Sequence, residues 1–226
     1  MSLSLTTKAI LGALTTPLFL GVPVFLAAGT LNFWQGWAFV TVFWVATALH
    51  TADLIKNDPE LLRRRMKAGP RAEKRSAQKL IMVLFVGFFV LLPIVGGLDH
   101  RTGWSHMPVW LVILGDLLIA LSYLLFHFVF RQNRFAAATI QVEQDQKVVS
   151  TGLYGIVRHP MYCGAVTLLV GMALALASYP ALVLAILGLP SLHWRIEDEE
   201  KCLIEELPGY DEYRKQVRWR LIPGLY

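Results

Sequence analysis

The chain has 226 residues, of which 55% are hydrophobic, and it carries a net charge of +5. Soluble domains contain about 45–50% apolar residues, whereas several stretches here run for the thickness of a bilayer without a charged residue. The composition therefore excludes an ordinary soluble helical protein, whose helices would each show a polar face.

Four apolar runs occupy the first part of the chain. The first run, from Ala9 to Leu31, and the second, from Phe33 to Ala52, are separated by little more than Asn32. The third covers Leu80 to Leu98, and the fourth covers Pro108 to Phe130. Since about 20 residues at 1.5 Å each cross the roughly 30 Å hydrocarbon core of a bilayer, these runs predict four transmembrane helices.

A fifth apolar run, from Met161 to His193, is too long for one crossing, because as a single helix it would reach about 50 Å. Proline disfavours helix in the residue before it, so we expect Ser178-Tyr179-Pro180 to break the run into a helical hairpin. The tail, 194–226, is rich in charge and predicts one amphipathic helix that ends at Leu207-Pro208-Gly209.

The predicted fold is all-α, a polytopic membrane helical bundle with five to six hydrophobic segments, the last pair a helical hairpin, and a cytosolic C-terminal helix. We expect residues 1–226 to form a single membrane domain. Residues 1–130 would hold transmembrane helices 1–4, and residues 131–226 would form a second region with the hairpin and the tail.

The positive charge is concentrated between the second and third runs, where segment 56–79 holds nine of the 21 basic residues. This distribution is typical of a cytoplasmic loop and argues against a nucleic-acid partner. It predicts that both termini and the polar segments on either side of the last apolar run are cytoplasmic and that loop 99–107 is outside. We expect the first run to be a retained span, because no convincing cleavage site follows it. Cys163 and Cys202 would then stay reduced.

Two polar clusters flank the last hairpin, one from Thr151 to Gly164 and one from Arg195 to Leu203. A hairpin brings its two ends together, so these clusters should form a cleft at the cytosolic membrane surface. The first cluster supplies cationic and aromatic side chains, and the second supplies carboxylates. Such a cleft would be open to water on one side and to lipid on the other.

The two clusters carry a recognisable pattern. Gly-x-Tyr-x-x-x-Arg-His-Pro-x-Tyr-x-Gly from Gly152 to Gly164, followed by Glu-Glu-x-x-Leu from Glu199 to Leu203, resembles isoprenylcysteine carboxyl methyltransferases (ICMT). Membrane phospholipid methyltransferases share much of this pattern. The chain departs from it after the Glu-Glu helix, where Leu207-Pro208-Gly209-Tyr210 replaces the usual Phe-Gly and paired tyrosines. This departure leaves the register of the substrate contacts in the tail open.

The resemblance implies that these segments wrap S-adenosyl-L-methionine at the cytosolic face and that a lipophilic acceptor enters from the bilayer. Residues 131–226 would then form a cofactor-binding catalytic region. The implied cofactor-binding residues are Gly152, Leu153, Tyr154, Arg158, His159, Tyr162, Glu199 and Glu200. The residue types suit this chemistry, because carboxylates can pair with the ammonium or sulfonium group and imidazole can hydrogen-bond the polar ends. Taken singly, a tyrosine at a membrane interface is also a common anchor, and a Glu-Glu pair is often solvated.

The candidate catalytic residues are Arg195, Glu200 and Arg220. Arg195, or one of Arg218 and Arg220, would clamp an acceptor carboxylate, which is already ionised and needs no base. Glu200, or Asp116 within the fourth run, would act as the base for an amine acceptor. Asp116 also has a packing interpretation, because a carboxyl at membrane depth can be buried and hydrogen-bonded.

Other functions remain open from the residues alone. One is a phospholipid or amine N-methyltransferase. A second is a membrane NADPH-dependent sterol-type reductase, because those enzymes end in a similar Arg-His-Pro-x-Tyr stretch and a Glu-rich helix with a pair like Lys201-Cys202. A third is a non-catalytic membrane protein. The expected partners are a lipophilic small-molecule or prenylated substrate and membrane lipid. No metal is expected, because no Cys/His spacing resembles a zinc site.

Overall fold

A computed structural model describes residues 3–73, 75–136, 138–140 and 142–226. Lys74, one of the basic residues of the predicted cytoplasmic loop, lies outside these ranges. Within them the chain forms eight α-helices and one 3-10 turn, and the predicted all-α fold is confirmed. The helices are α1 (Leu5–Ala28), α2 (Trp34–Asn57), α3 (Pro59–Met66), α4 (Ser76–Thr102), α5 (Val109–Gln132), α6 (Pro160–Ala175), α7 (Tyr179–Glu206) and α8 (Tyr210–Gln216), and the 3-10 turn is Gly152–Gly155.

Helices α1, α2, α4 and α5 are long and apolar enough to cross a membrane. They coincide with the four apolar runs of the sequence, and most of the helix ends lie a few residues beyond the ends of the runs. Many of their large side chains, such as Leu18, Leu26, Leu117 and Leu121, are exposed, as expected for surfaces that face lipid. The chain is therefore an integral membrane protein.

The fifth apolar run is broken just before Pro180, as the sequence predicted. Helix α6 ends at Ala175, and Ala177 adopts a left-handed conformation with φ 56°. The side chain of Ser178 then caps α7 by accepting a hydrogen bond from Ala181 N at 3.1 Å, and Pro180 occupies the first turn. A proline in that turn loses no helical hydrogen bond, so the chain reverses direction and starts a second helix without strain at this residue.

The amphipathic helix predicted in the tail is not a separate element. Helix α7 continues without interruption from the apolar hairpin through Glu206. Its 28 residues span about 42 Å, so its charged last turns extend beyond a hydrocarbon core. The helix ends before Gly209, which has φ 86° and precedes α8. The interpretation of the tail from Trp194 as a new element was wrong, because the change from apolar to charged residues marks the membrane surface and not the helix boundary.

Close backbone contacts hold the hairpin against the first four spans. Helix α5 packs along α6, α1 along α4, and α4 along α7. A Cβ atom on Gly115 of α5 would lie only 2.2 Å from the backbone nitrogen of Ala175, so α5 and α6 touch through their backbones. The core side chains include Leu20, Val24, Phe39, Phe43, Leu92, Ile119, Met172 and Leu176.

The two ends of the bundle differ in polarity. At one end, Ser105 donates to the buried Asp99 and accepts from Tyr179 N, which fastens the α4–α5 loop to the hairpin turn. At the other end lie α3, the start of α6, the charged turns of α7, and α8. Ion pairs of Arg64 with Glu143 and of Arg134 with Asp58 join the segments there. Both polar clusters of the sequence are found at this second end.

Candidate functional site

The 3-10 turn of the first polar cluster is anchored to the end of α5. Leu153 N donates to Gln132 Oε1 at 2.9 Å. Gly152 has φ 60°, and a Cβ atom there would come within 2.7 Å of the same oxygen. A glycine is therefore required at this position by conformation and by space. The turn presents Tyr154, whose hydroxyl accepts from Asn133 Nδ2 at 3.1 Å.

Glu200 is the centre of a buried ionic cluster, which we call the tail cluster (Arg158, His159, Glu200 and Arg220). Oε1 of Glu200 lies 2.7 Å from Arg158 Nε and 3.1 Å from His159 Nε2. Its Oε2 lies 3.0 Å from Arg220 Nε and 2.9 Å from the same residue's Nη2. Only 4% of Glu200 is exposed.

The tail cluster keeps Glu200 ionised. Burial alone would raise the pKa of its carboxyl, but the hydrogen bonds and charges of His159 and Arg158 outweigh burial and lower the pKa to about 2. Glu200 lies in the charged last turns of α7, outside the four membrane-spanning helices. A carboxylate with this pKa is a poor general base at neutral pH.

The tail cluster also ties the C-terminal segment to the motif. Arg158 Nη1 donates to the carbonyl oxygens of Val217 and Arg218 at 2.8 and 2.7 Å. The backbone nitrogen of Arg158 donates to Trp219 O at 2.9 Å, and that of His159 donates to Arg220 O at 3.0 Å. The segment 217–220 therefore runs as a strap beside the Arg-His-Pro motif.

A cleft with an internal volume of about 100 Å³ opens beside this strap, and we call it the polar cleft. Five residues predicted from the resemblance line it: Tyr154, Arg158, His159, Tyr162 and Glu199. The other described lining residues are Asn133, Phe135, Ala136, Thr139, Ile140, Gln146, Lys147, Val148, Val149, Met161, Leu203, Leu207, Tyr210 and Tyr213.

The remaining predicted site residues lie elsewhere. Gly152 and Leu153 are in the turn, and they are not among the described residues that line the polar cleft. The same is true of Glu200 and Arg220, which bind one another in the tail cluster. The structure thus brings the two polar clusters together but divides their residues between a cleft wall and its support.

Arg195 is the hub of a second buried network. Its Nη1 donates to Glu73 Oε1 at 3.1 Å and to Gln78 Oε1 at 2.8 Å. Its Nε donates to Tyr162 Oη at 3.0 Å, and its Nη2 donates to Ala138 O at 2.9 Å. The carboxylate that forms an ion pair with Arg195 is therefore Glu73, 122 residues away in the chain. Tyr162 in turn donates to Glu199 Oε2 at 2.5 Å.

An apolar cavity of about 270 Å³ lies on the other side of Tyr162. Helices α4, α5, α6 and α7 form its walls. The described lining residues are Arg65, Ala68, Met82, Phe85, Phe89, Phe126, Ala138, Met161, Tyr162, Ala165, Leu168, Leu169, Leu192 and Arg195. Met161 and Tyr162 line both this apolar cavity and the polar cleft. The two spaces therefore share a wall at the first turn of α6.

Comparison with protein families bears on this end of the bundle. Residues 110–209 match the sequence model of the phospholipid methyltransferase family. This segment is therefore similar to that family, and it covers less than half of the chain. It runs from α5 through both walls of the polar cleft to the end of α7, so the resemblance to membrane methyltransferases seen in the motifs is confirmed.

Two curated proteins are also similar to this chain. The Delta(14)-sterol reductase of Methylotuvimicrobium alcaliphilum is 27% identical over 167 residues, which cover 66% of this chain and 39% of that protein. The Delta(14)-sterol reductase erg24 of Schizosaccharomyces pombe is 26% identical over 162 residues, which cover 64% of this chain and 38% of that protein. The chain thus spans less than two-fifths of the length of these relatives.

The polar cleft has features that fit a bound polar ligand. The hydroxyl of Tyr210 is buried there and has no hydrogen-bond partner among the described residues. Buried hydroxyls almost always have one, so this group can donate to a ligand. Glu199 offers a carboxylate for a cationic group, and Tyr154 and Tyr213 offer aromatic surface beside apolar side chains.

Sequence reasoning missed several residues that build these two spaces. Gln132 and Asn133 follow the fourth apolar run, and they were noted only as polar. Glu73 is the one acidic residue between Glu60 and Asp99, and it lies inside a basic segment. A single acidic residue among basic ones could have indicated an ion pair. Arg65 was counted only as a topological charge, although it follows Leu61 by four residues and so shares that residue's face of a helix.

Proposed function

We propose that the protein transfers the methyl group of S-adenosylmethionine to a lipophilic acceptor, in the manner of isoprenylcysteine carboxyl methyltransferases, and that the acceptor's nucleophile is a carboxylate. The shared wall at Met161 and Tyr162 supports this function most strongly. It sets a polar cleft that is suited to a charged cofactor next to an apolar cavity that is suited to a lipid chain.

In this proposal the cofactor occupies the polar cleft. Glu199 pairs with its ammonium or sulfonium group, and Tyr210 donates a hydrogen bond. Tyr154, His159 and Tyr162 form the surrounding wall together with Arg158. Gly152 and Leu153 act by anchoring the turn, and Glu200 and Arg220 act by holding the strap in place.

When bound, S-adenosylmethionine supplies an electrophilic methyl carbon, whose bond to sulfur breaks as the acceptor oxygen bonds to it, so that the sulfonium becomes a neutral thioether. The protein's residues align the two reactants across the shared wall and exclude water from it. No side chain becomes a nucleophile. A carboxylate needs no base, which agrees with the low pKa of Glu200. A protonated amine would need one.

The membrane orientation belongs to the same proposal. We place the polar cleft and both termini at the cytoplasmic face of a single membrane domain, because the basic segment 56–79 lies at that end. The lipid acceptor would then enter the apolar cavity laterally while the cofactor enters from the cytosol. A cysteine placed at Arg101 should be labelled only from the outside. Labelling of that position from the cytosolic side would contradict the arrangement.

A second candidate is a sterol-type reductase that uses NADPH, and the similarity to the two sterol reductases favours it. NADPH carries a pyrophosphate and needs cations to bind it. The described cationic side chains in the polar cleft are Lys147 and Arg158, and Arg158 already contacts Glu200 and two backbone carbonyls. Glu199 would face the bound phosphates, so the lining favours a cationic cofactor.

The test is calorimetry of the full chain in detergent with S-adenosylmethionine and with NADPH. We expect binding of S-adenosylmethionine and none of NADPH. The opposite result would establish the reductase alternative, and binding of neither would favour a non-catalytic protein. Transfer of labelled methyl to lipophilic carboxylates, but not to phospholipid amines, is expected next. Transfer to the amines alone would make the protein an N-methyltransferase.

A further inference from the structure

We infer that Arg65 recognises the negatively charged end of the lipophilic acceptor and makes the apolar cavity select acids over alcohols and amines. The inference rests on the proposed methyl transfer, because it requires the acceptor to lie against the wall that the two spaces share. It adds a residue that comes from the basic segment before α4, outside the part of the chain that matches the methyltransferase family.

Arg65 lies on the buried face of α3. Leu61 and Leu62 are buried and form the inner face of this helix. Arg65 lies three and four residues after them, so it shares that face. Arg63 and Arg64 lie away from it, where their side chains pair with Glu60 and Glu143. Three consecutive arginines therefore have two different environments.

The guanidinium of Arg65 is held at the shared wall. Its Nη1 lies 3.3 Å from Met161 Sδ and 3.4 Å from Ala136 O, and its central carbon lies 4.8 Å from the ring centroid of Phe130. Burial, with the nearby charge of Arg195, lowers its pKa to about 10, although Tyr162 and Tyr154 favour the charged form. Arg65 thus remains a cation at neutral pH, at the point where an acceptor must meet the polar cleft.

The charges around the apolar cavity favour an anion. Its described lining contains two charged side chains, Arg65 and Arg195, and no carboxylate. The charge of Arg195 is offset from outside the cavity by Glu73. The rest of the lining is aromatic and aliphatic, which suits a long apolar tail. An amine head would be repelled at this end, and an alcohol would gain no charge interaction.

The experiment measures binding without turnover or cofactor. The full chain in neutral phosphatidylcholine nanodiscs is titrated with hexadecanoate, hexadecanol or hexadecylamine in competition with a fluorescent fatty acid, in mildly alkaline buffer. We expect the acid to bind about tenfold or more tightly than the alcohol, the scale of one charge-assisted hydrogen bond, and the amine to bind most weakly.

The variants assign this preference to a residue. Arg65→Gln should abolish the preference for the acid and leave the affinity for the alcohol within about twofold, while Arg65→Lys should keep part of it, because a point charge lacks the bidentate fork. Arg63→Gln is the matched control, since Arg63 is on the same helix with its side chain 59% exposed. It should keep the full preference.

Two outcomes would overturn the inference. In the first, the unaltered protein binds acid and alcohol equally, a result that does not depend on whether any variant folds. In the second, Arg65→Gln weakens both probes alike, which would give Arg65 a packing role only. Calorimetry with S-adenosylmethionine on the same preparation keeps the proposed function separate. If the unaltered protein prefers the acid but does not bind S-adenosylmethionine, the proposed methyl transfer is contradicted and the selectivity of the cavity is not.

Discussion

The polar cleft and the tail cluster lie on two sides of the same helix, and adjacent glutamates serve them. Glu199 lines the cleft and accepts a hydrogen bond from Tyr162. Glu200, turned by about 100° around α7, has both oxygens engaged within the protein. One glutamate therefore faces the cleft and the other is held by neighbouring side chains, although the two residues are chemically identical. This difference predicts that equivalent substitutions one position apart will have different effects.

The largest effect is expected from Glu200→Ala. The substitution leaves Arg158 and Arg220 without the carboxylate that they share, and breaking a buried ion pair in this way costs about 3–5 kcal/mol. The free energy of unfolding in mixed detergent, followed by circular dichroism, should fall by that amount. Glu205→Ala is the control, because Glu205 is exposed on the same helix. Equal losses in the two variants would refute the structural role of the tail cluster.

The second-largest effect is expected from acid, which should reduce the contribution of the tail cluster to the free energy of unfolding. The folded-state pKa of Glu200, about 2, lies below the usual glutamate value of 4.5, because hydrogen bonds from His159 and Arg158 outweigh the effect of burial. Its carboxylate therefore stabilises the folded protein above pH 4.5, and this contribution is lost as the pH falls from 4.5 towards 2. At about 1.4 kcal/mol for each pKa unit, the loss is about 3 kcal/mol.

The measurement is the unfolding free energy across that acid range. Glu200→Gln provides the comparison, since it cannot titrate at this position. Its stability should depend less steeply on pH than that of the unaltered protein. Identical slopes would mean that other carboxyl groups dominate acid unfolding.

Glu199→Gln should affect the cofactor instead of the fold. The amide can still accept from Tyr162 but carries no charge, so the affinity for S-adenosylmethionine should fall by about 1–3 kcal/mol. The unfolding free energy should stay within about 0.5 kcal/mol of the unaltered protein. Calorimetry and unfolding on one preparation check both, with Glu205→Gln as the control. Unchanged affinity would place the cationic part of the cofactor elsewhere.

The smallest effect is expected from Tyr210→Phe. This variant removes a buried hydroxyl that has no described partner, so stability should not fall, whereas cofactor affinity should fall by about 0.5–1.5 kcal/mol. Tyr213→Phe is the matched control, because the Tyr213 hydroxyl donates to Tyr154 O at 2.7 Å. It should destabilise the fold by about 1 kcal/mol. A loss of stability in Tyr210→Phe would show that its hydroxyl serves the fold.

Several parts of this architecture could be predicted because they depend on local chemistry. The four spans follow from the length of uncharged runs, and the reversal at Ser178 follows from the geometry of Pro180. The meeting of the two polar clusters follows from that reversal. By contrast, the uninterrupted course of α7 could not be seen, because helix continuity and membrane depth change independently along a chain.

The membrane class, the approximate spans, the hairpin and the polar residues at its base can all be predicted from the amino-acid sequence, since each depends on hydrophobic length, proline or motif spacing. Which of these residues face the cleft depends on the tertiary structure. Arg195 finds its partner Glu73 across 122 residues, and Arg65 points into the apolar cavity while Arg63 points to solvent. Such choices depend on the rotation of each helix against its neighbours, and no local pattern encodes that rotation completely.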